Sequence, residues 1–186
     1  MRYGAAMLRV FAFISLLAAL ALAGCGSSSS TTGATAASYV KVVCTAVRGW
    51  ASDMDTRSGA LNVATIKNAA QGKAAIEAFF TGAASDTADV VSKLQAAGQP
   101  NVTNGQTIAG AFVLAFQRIE NALKTGQTRA TTLPTSSATA FRDAARKLAT
   151  SAQTSLNNIG SGLSGLTSPG LESAAKKAPA CAPLSE

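Results

Sequence analysis

Apolar side chains return every three or four residues along most of this chain, a spacing that gathers them on one face of a helix. From residue 38 they fall at Val40, Val43, Val47, Trp50 and Met54, which predicts an amphipathic helix. The β-branched start at Val40, Val42 and Val43 leaves a strand open as the lesser alternative. Gly49 costs such a helix about 1 kcal/mol relative to alanine. A second helical segment spans 62–97, with Ile76, Phe80, Ala83, Thr87, Val90, Leu94 and Ala97 in the same rhythm. Gly72 and Gly82 weaken it, and Ser85 and Asp86 have the chemistry of caps that restart a helix, so the segment reads as one kinked helix or two. Gly98 followed by Pro100 ends it.

Thr103 and Gln106 have the form of a capping box, in which two side chains satisfy backbone donors at a helix start. The helix expected there carries Ile108, Phe112, Ala115, Ile119 and Ala122, with a continuation toward Leu133 before Pro134 stops it. A fourth helix follows Ser136 or Ser137, with Phe141, Ala145, Leu148, Ala152, Leu156 and Ile159 inward. After a Gly/Ser loop, Ser168 and Pro169 supply an N-cap and a first helical residue for a short helix through Lys177, and Pro179 breaks it. These elements predict an all-α protein: an antiparallel four-helix-type bundle with a short C-terminal helix. The alanine-rich stripes are also compatible with a looser helical array, because alanine specifies its partners poorly.

The beginning of the chain follows a different pattern. Arg2 and Arg9 precede an apolar run from Val10 to Ala21 broken only by Ser15, shorter than the roughly 20 residues a membrane span requires. Leu22, Ala23, Gly24 and Cys25 come directly after it. This arrangement resembles the signal peptide of bacterial lipoproteins, and the four residues match the lipobox of that class at every position. The resemblance implies that the Cys25 thiol accepts a diacylglycerol, that the Gly24–Cys25 bond is cut, and that Cys25 becomes an acylated N-terminus of the palmitate type. Two acyl chains hold a protein stably at a membrane, whereas one gives marginal binding.

Residues 26–37 contain only Gly, Ser, Thr and Ala, too few large apolar groups to be held in a core. The expected organisation is therefore a signal peptide over 1–24, a lipidated N-terminus with a flexible tether over 25–37, and one helical domain over 38–186. The wider layout also resembles small lipoproteins of actinobacteria. The likeness lies in the tether, the Val-Cys-Thr-Ala-Val-Arg-Gly-Trp segment at 43–50 and the Pro-Ala-Cys-Ala segment at 179–182. That class carries no assigned site residues.

Cysteine usage agrees with such an address. Of three cysteines, one is the lipid anchor, and Cys44 and Cys181 stand near opposite ends of the domain. Outside the cytoplasm such a pair suggests a disulfide, although one reactive thiol is the other reading. A formal net charge of +7, or +5 without Arg2 and Arg9, would point to nucleic acid in a cytoplasmic protein. In an envelope protein it points instead to anionic headgroups or cell-wall phosphates, or to solubility alone.

Catalytic chemistry has little material here. The chain has no histidine to activate a serine or cysteine. Asp53, Asp55 and Gly59 have an outline like a calcium loop, but the glycine is one place late, Arg57 occupies a ligand position and Ala64 stands where a glutamate is needed. That stretch reads as a helix end and turn. Glu77 and Glu120 are the one pair of carboxylates suited to a glycan hydrolase, and the large aromatic-lined cleft of such enzymes is missing from the composition. No catalytic residue, metal site or cofactor is therefore expected. Arg142, Arg146 and Lys147, with Lys124 and Arg129 near them in sequence, form the densest basic group, a candidate contact for an anionic surface.

The expected function is a non-enzymatic binding or interaction module on the outer side of the cell membrane. It would be held there through Cys25, with anionic envelope polymers or an envelope protein as partners and nucleic acid excluded. A carrier of apolar molecules, opening along the alanine-rich seam, is the alternative. The oligomeric state is left open.

Overall fold

The computed structural model describes residues 33–61, 66–160 and 166–184. The expected signal segment with its lipobox-like residues, and the start of the expected tether, lie outside them. Five α-helices are described: α1 (Ala36–Ala60), α2 (Ala69–Ala97), α3 (Gly105–Ala130), α4 (Ala138–Gly160) and α5 (Pro169–Lys177), followed by a single 3₁₀ turn at Ala182–Leu184. No strand occurs among these residues, and one isolated bridge joins Ala34 to Pro100. The all-α bundle expected from the sequence is what forms.

Helix α2 lies at the centre and packs antiparallel to both α1 and α3. Its last turns share one core with the start of α1 and of α3, built on Tyr39, Val43, Val90, Leu94, Ala109 and Phe116. Its first turns share a second core with the end of α3 and with α4, built on Phe80, Ala83, Leu123, Ala130, Phe141 and Leu148. Helix α5 covers the first half of α1, where Leu171 joins the first core. We call these regions the near half and the far half, by their distance along the chain fold from Ala34. The expected α2 stripe is buried at Phe80, Ala83, Thr87, Val90 and Leu94. Ala84 and Val91 are buried beside it, because a central helix has neighbours on more than one side.

Four local expectations are corrected. First, of the two readings left open for 62–97, a single helix forms: α2 starts at Ala69, later than expected, and runs uninterrupted through Gly72 and Gly82, with residues 62–65 outside those described. Both glycines are contact points rather than breaks: a Cβ at Gly72 would overlap the Phe141 ring, and one at Gly82 would overlap the Arg57 guanidinium. Asp86 does not restart the helix. Its carboxylate accepts from Arg57 Nε at 2.5 Å and from Arg57 Nη2 at 2.9 Å. That two-pronged pair, with Met54 packed in the far core, carries α1 past Asp53 and Asp55 to Ala60, beyond the turn expected there.

Second, the capping box at Thr103 and Gln106 does not form. Helix α3 starts at Gly105 behind Asn104, whose φ of 61° is left-handed and whose side chain makes no cap bond. The cause is a close approach, since the Gly105 Cα lies against the Pro100 carbonyl where no Cβ would fit. Reciprocal capping appears instead at α2: Asn68 Oδ1 accepts from the Gln71 N–H at 2.9 Å, and Gln71 Oε1 accepts from the Lys67 N–H at 3.0 Å. Third, residues 33–37, expected to belong to the tether, are part of the fold. Thr35 Oγ1 accepts from the Ser38 N–H, which starts α1 at Ala36. Ala34 donates to the Gln99 carbonyl at 2.9 Å and accepts from the Asn101 N–H at 2.8 Å. Fourth, Ser168 stands at the N-cap position of α5 with Pro169 first in the helix, but its buried hydroxyl makes no cap bond and has no hydrogen-bond partner among the described residues.

Candidate functional site

The disulfide is formed. Cys44 and Cys181 are joined at 2.05 Å with their Cα atoms 5.0 Å apart, closing a loop of 137 residues. Cys181 is buried, and the bond fastens the tail beyond α5 to the third turn of α1. Trp50, on the apolar stripe expected for the first helix, is an inter-helix brace. Its indole N–H donates to Thr87 Oγ1 at 2.9 Å, and its ring meets Phe116 edge-on at 5.5 Å. Thr87 is fully buried and donates its own O–H to the Ala83 carbonyl at 2.7 Å, so its hydroxyl is satisfied both as acceptor and as donor.

The carboxylates considered for hydrolysis are each engaged within their own helix. Glu77 lies 3.8 Å from Lys73, and Glu120 accepts a short hydrogen bond from Lys124. Lys73 also donates to the Thr131 carbonyl at 2.7 Å, tying α2 to the end of α3. Two members of the wider basic group are occupied as well, since Lys124 holds Glu120 and Arg129 donates to Ser151 Oγ on α4. Arg142, Arg146 and Lys147 remain exposed on α4 and form no ion pair among the described residues. Arg142 reaches only Thr139 Oγ1, at 3.4 Å. Asp143 shares this part of the helix and offsets one of the three positive charges.

Position along the bundle separates two charged regions. Phe141 sits over Gly72, so the basic group of α4 belongs to the far end. Ala34 packs against the near core alongside Ala97. Twenty-five residues of helix lie between Gly72 and Ala97, about 37 Å at 1.5 Å per residue. At the near end, α1 and α5 enclose a half-open recess of about 460 Å³, walled by Ala37, Ala174, Ala178 and Pro179 with Lys41 and Lys177 alongside. The sequence reading missed it, because its two walls are more than 130 residues apart and only the disulfide at Cys44 hints that they meet.

Among the described residues, no group of three or more His, Cys, Asp or Glu side chains is placed to hold a metal. No helix there is long and apolar enough to cross a membrane. Two groups have shifted acidities. Burial pushes the Tyr39 phenol up to about 12, and the hydrogen bonds that Arg57 donates to Asp86 raise the guanidinium above its ordinary value. Comparison with protein-family models, with curated proteins and with solved structures finds no match to this chain.

Proposed function

We propose that this chain is a lipid-anchored binding module facing outward from the cell membrane, without catalytic activity of its own. The observation that carries the reading is the Cys44–Cys181 bond. A disulfide closing nearly a whole domain belongs to an oxidising compartment. It also consumes both domain cysteines and leaves Cys25, behind its lipobox-like residues, as the one thiol free for a lipid. The fold supports the geometry of an anchor, since chain leaving Ala34 starts from one end of the bundle while Arg142, Arg146 and Lys147 stand at the other. That far basic group is the face assigned to anionic envelope polymers.

Intact-mass analysis of the chain isolated from envelopes tests the anchor. A mass lacking residues 1–24 and carrying a diacylglycerol is expected, and a Cys25→Ala chain should leave the membrane fraction. An unprocessed, unmodified chain that still partitions into membranes would refute the anchor. For the binding face, Arg142→Gln with Arg146→Gln should lower retention on washed, phosphate-bearing wall material at low salt, and unchanged retention would remove that assignment.

A further inference from the structure

The recess between α1 and α5 lies at the end of the bundle from which the anchor segment departs. Eight peptide units separate Cys25 from Gly33, so the reach of that segment is at most about 29 Å. This is shorter than the roughly 37 Å between the near and far ends, and a lipid on Cys25 therefore holds the near end toward the headgroups. The chemistry of the recess suits such a surface. Its walls are small and apolar, while Lys41 and Lys177 stay exposed and form no ion pair among the described residues. Lys176 adds a third positive charge beside them. The first turn of α1 carries no acidic residue, which leaves the positive end of that helix uncompensated. Glu172, the acid of α5, lies in the first turn of its helix, away from Lys177. The negative end of α5 accounts for one of the C-terminal lysines, but Lys41 has no comparable partner.

We propose that this recess docks an anionic phospholipid headgroup of the membrane to which the chain is tethered. The lysines would take the phosphate oxygens and the alanine walls the glycerol region. The inference rests on the anchored reading above. It makes the tether a positioning device: one end of the bundle sits on the bilayer and the α4 basic face points outward.

The full chain purified from envelopes and placed on phosphatidylcholine vesicles, with or without phosphatidylglycerol, provides the test. Acetylation of each lysine by an amine-reactive reagent is followed by mass spectrometry. On vesicles containing phosphatidylglycerol, Lys41 and Lys177 should react about fivefold more slowly than on phosphatidylcholine alone, with Lys147 unchanged. Lys177→Glu should restore the reactivity of Lys41, and Lys177→Arg should not. The mass of the same sample reports the anchor independently. A lipidated chain whose Lys41 and Lys177 react equally on both vesicles overturns docking alone. Protected lysines on an unlipidated chain would keep docking and remove the anchor, and an unlipidated chain with unprotected lysines removes both.

Discussion

The two halves of the bundle are of similar size but are held together by different means. In the near half the links are directional or covalent: the Cys44–Cys181 bond, the Ala34 bridge to the α2–α3 connection, and the Trp50 indole on Thr87. In the far half no covalent link occurs among the described residues: hydrogen bonds from Arg57 to Asp86, from Lys73 to the Thr131 carbonyl and from Arg129 to Ser151 join the elements, and helices also approach where one of them lacks a side chain. Phe141 lies over Gly72, Arg57 over Gly82 and Phe80 over Gly126. Glycines inside the near-half helices, Gly49 and Gly110, have nothing within 4 Å of where a Cβ would be. Gly59 in the last turn of α1 is likewise open, at a helix end rather than a seam. Away from the helix starts at Gly105 and Gly170, where a neighbour also packs close, a glycine inside a helix is thus a liability in one half and a receptacle in the other, and the neighbour decides which.

Removing the disulfide is the largest perturbation available to this comparison. A loop of 137 residues is worth about 5 kcal/mol in the chain-entropy model, and measured bonds return about 2–4 kcal/mol. Cys44→Ser with Cys181→Ser should therefore lower the urea unfolding free energy by about 3 kcal/mol. Native-state hydrogen exchange should show α5 and the first half of α1 opening first, with the α2–α3 amides around Phe80 and Leu123 keeping their protection at matched stability. Uniform loss of protection would mean that the halves are one cooperative unit, and the distinction between them would fail.

Tyr39 gives the near half a pH dependence of its own at alkaline pH. The side chain is 3 % exposed, and burial raises its phenol from 10.0 to about 12. Below pH 10 both the folded and unfolded chains keep the proton. Between about 10 and 12 the unfolded chain loses it first, so stability falls as pH rises through that window. The loss should reach about 2 kcal/mol at the upper end. Tyr39→Phe should flatten this part of the profile while leaving its shape below pH 9 unchanged. If both proteins lose stability in parallel from pH 10 to 12, the phenol is not the group responsible.

Sequence pattern made the near half easier to read than the far one. Period alone gave α1, α2, α3 and α4 their buried faces, and Ser168 with Pro169 marked the start of α5, because these features depend on residues close in the chain. The pairing of Cys44 with Cys181 was legible from the cysteine count and the envelope address that the sequence suggests. Gly72 and Gly82 were read as weak points because propensity counts only the helix they belong to, whereas Phe141 and Arg57 arrive from α4 and α1. The Arg57–Asp86 pair joins residues 29 apart, beyond any helix repeat. At Thr103 a valid local motif lost to the packing of Gly105 on Pro100, while the Asn68 and Gln71 cap carried the same three-residue signal and was overlooked. The exposed basic face of α4 was legible, but its position at the end of the bundle opposite Ala34 was not, since that depends on which end of α2 receives Phe141.

The smallest effect bears most directly on the difference between the halves, because one chemical change should have opposite signs in them. Alanine in place of an interior helical glycine gains about 1 kcal/mol from backbone entropy and propensity alone. At Gly49, where the added methyl meets nothing, Gly49→Ala should raise the unfolding free energy by roughly that amount. At Gly126 the same methyl would overlap the ring of Phe80, which is buried in the far core and has no open side to move into. Overpacking of that kind costs about 1–3 kcal/mol, so after the propensity gain Gly126→Ala should lose about 1 kcal/mol. Phe80→Leu in the Gly126→Ala background should recover part of that loss, since the smaller side chain vacates the overlapped volume. A double-mutant cycle over the two positions then measures the coupling directly. Equal gains at Gly49 and Gly126, with no coupling to Phe80, would show that the far half is not built on close approach over glycine.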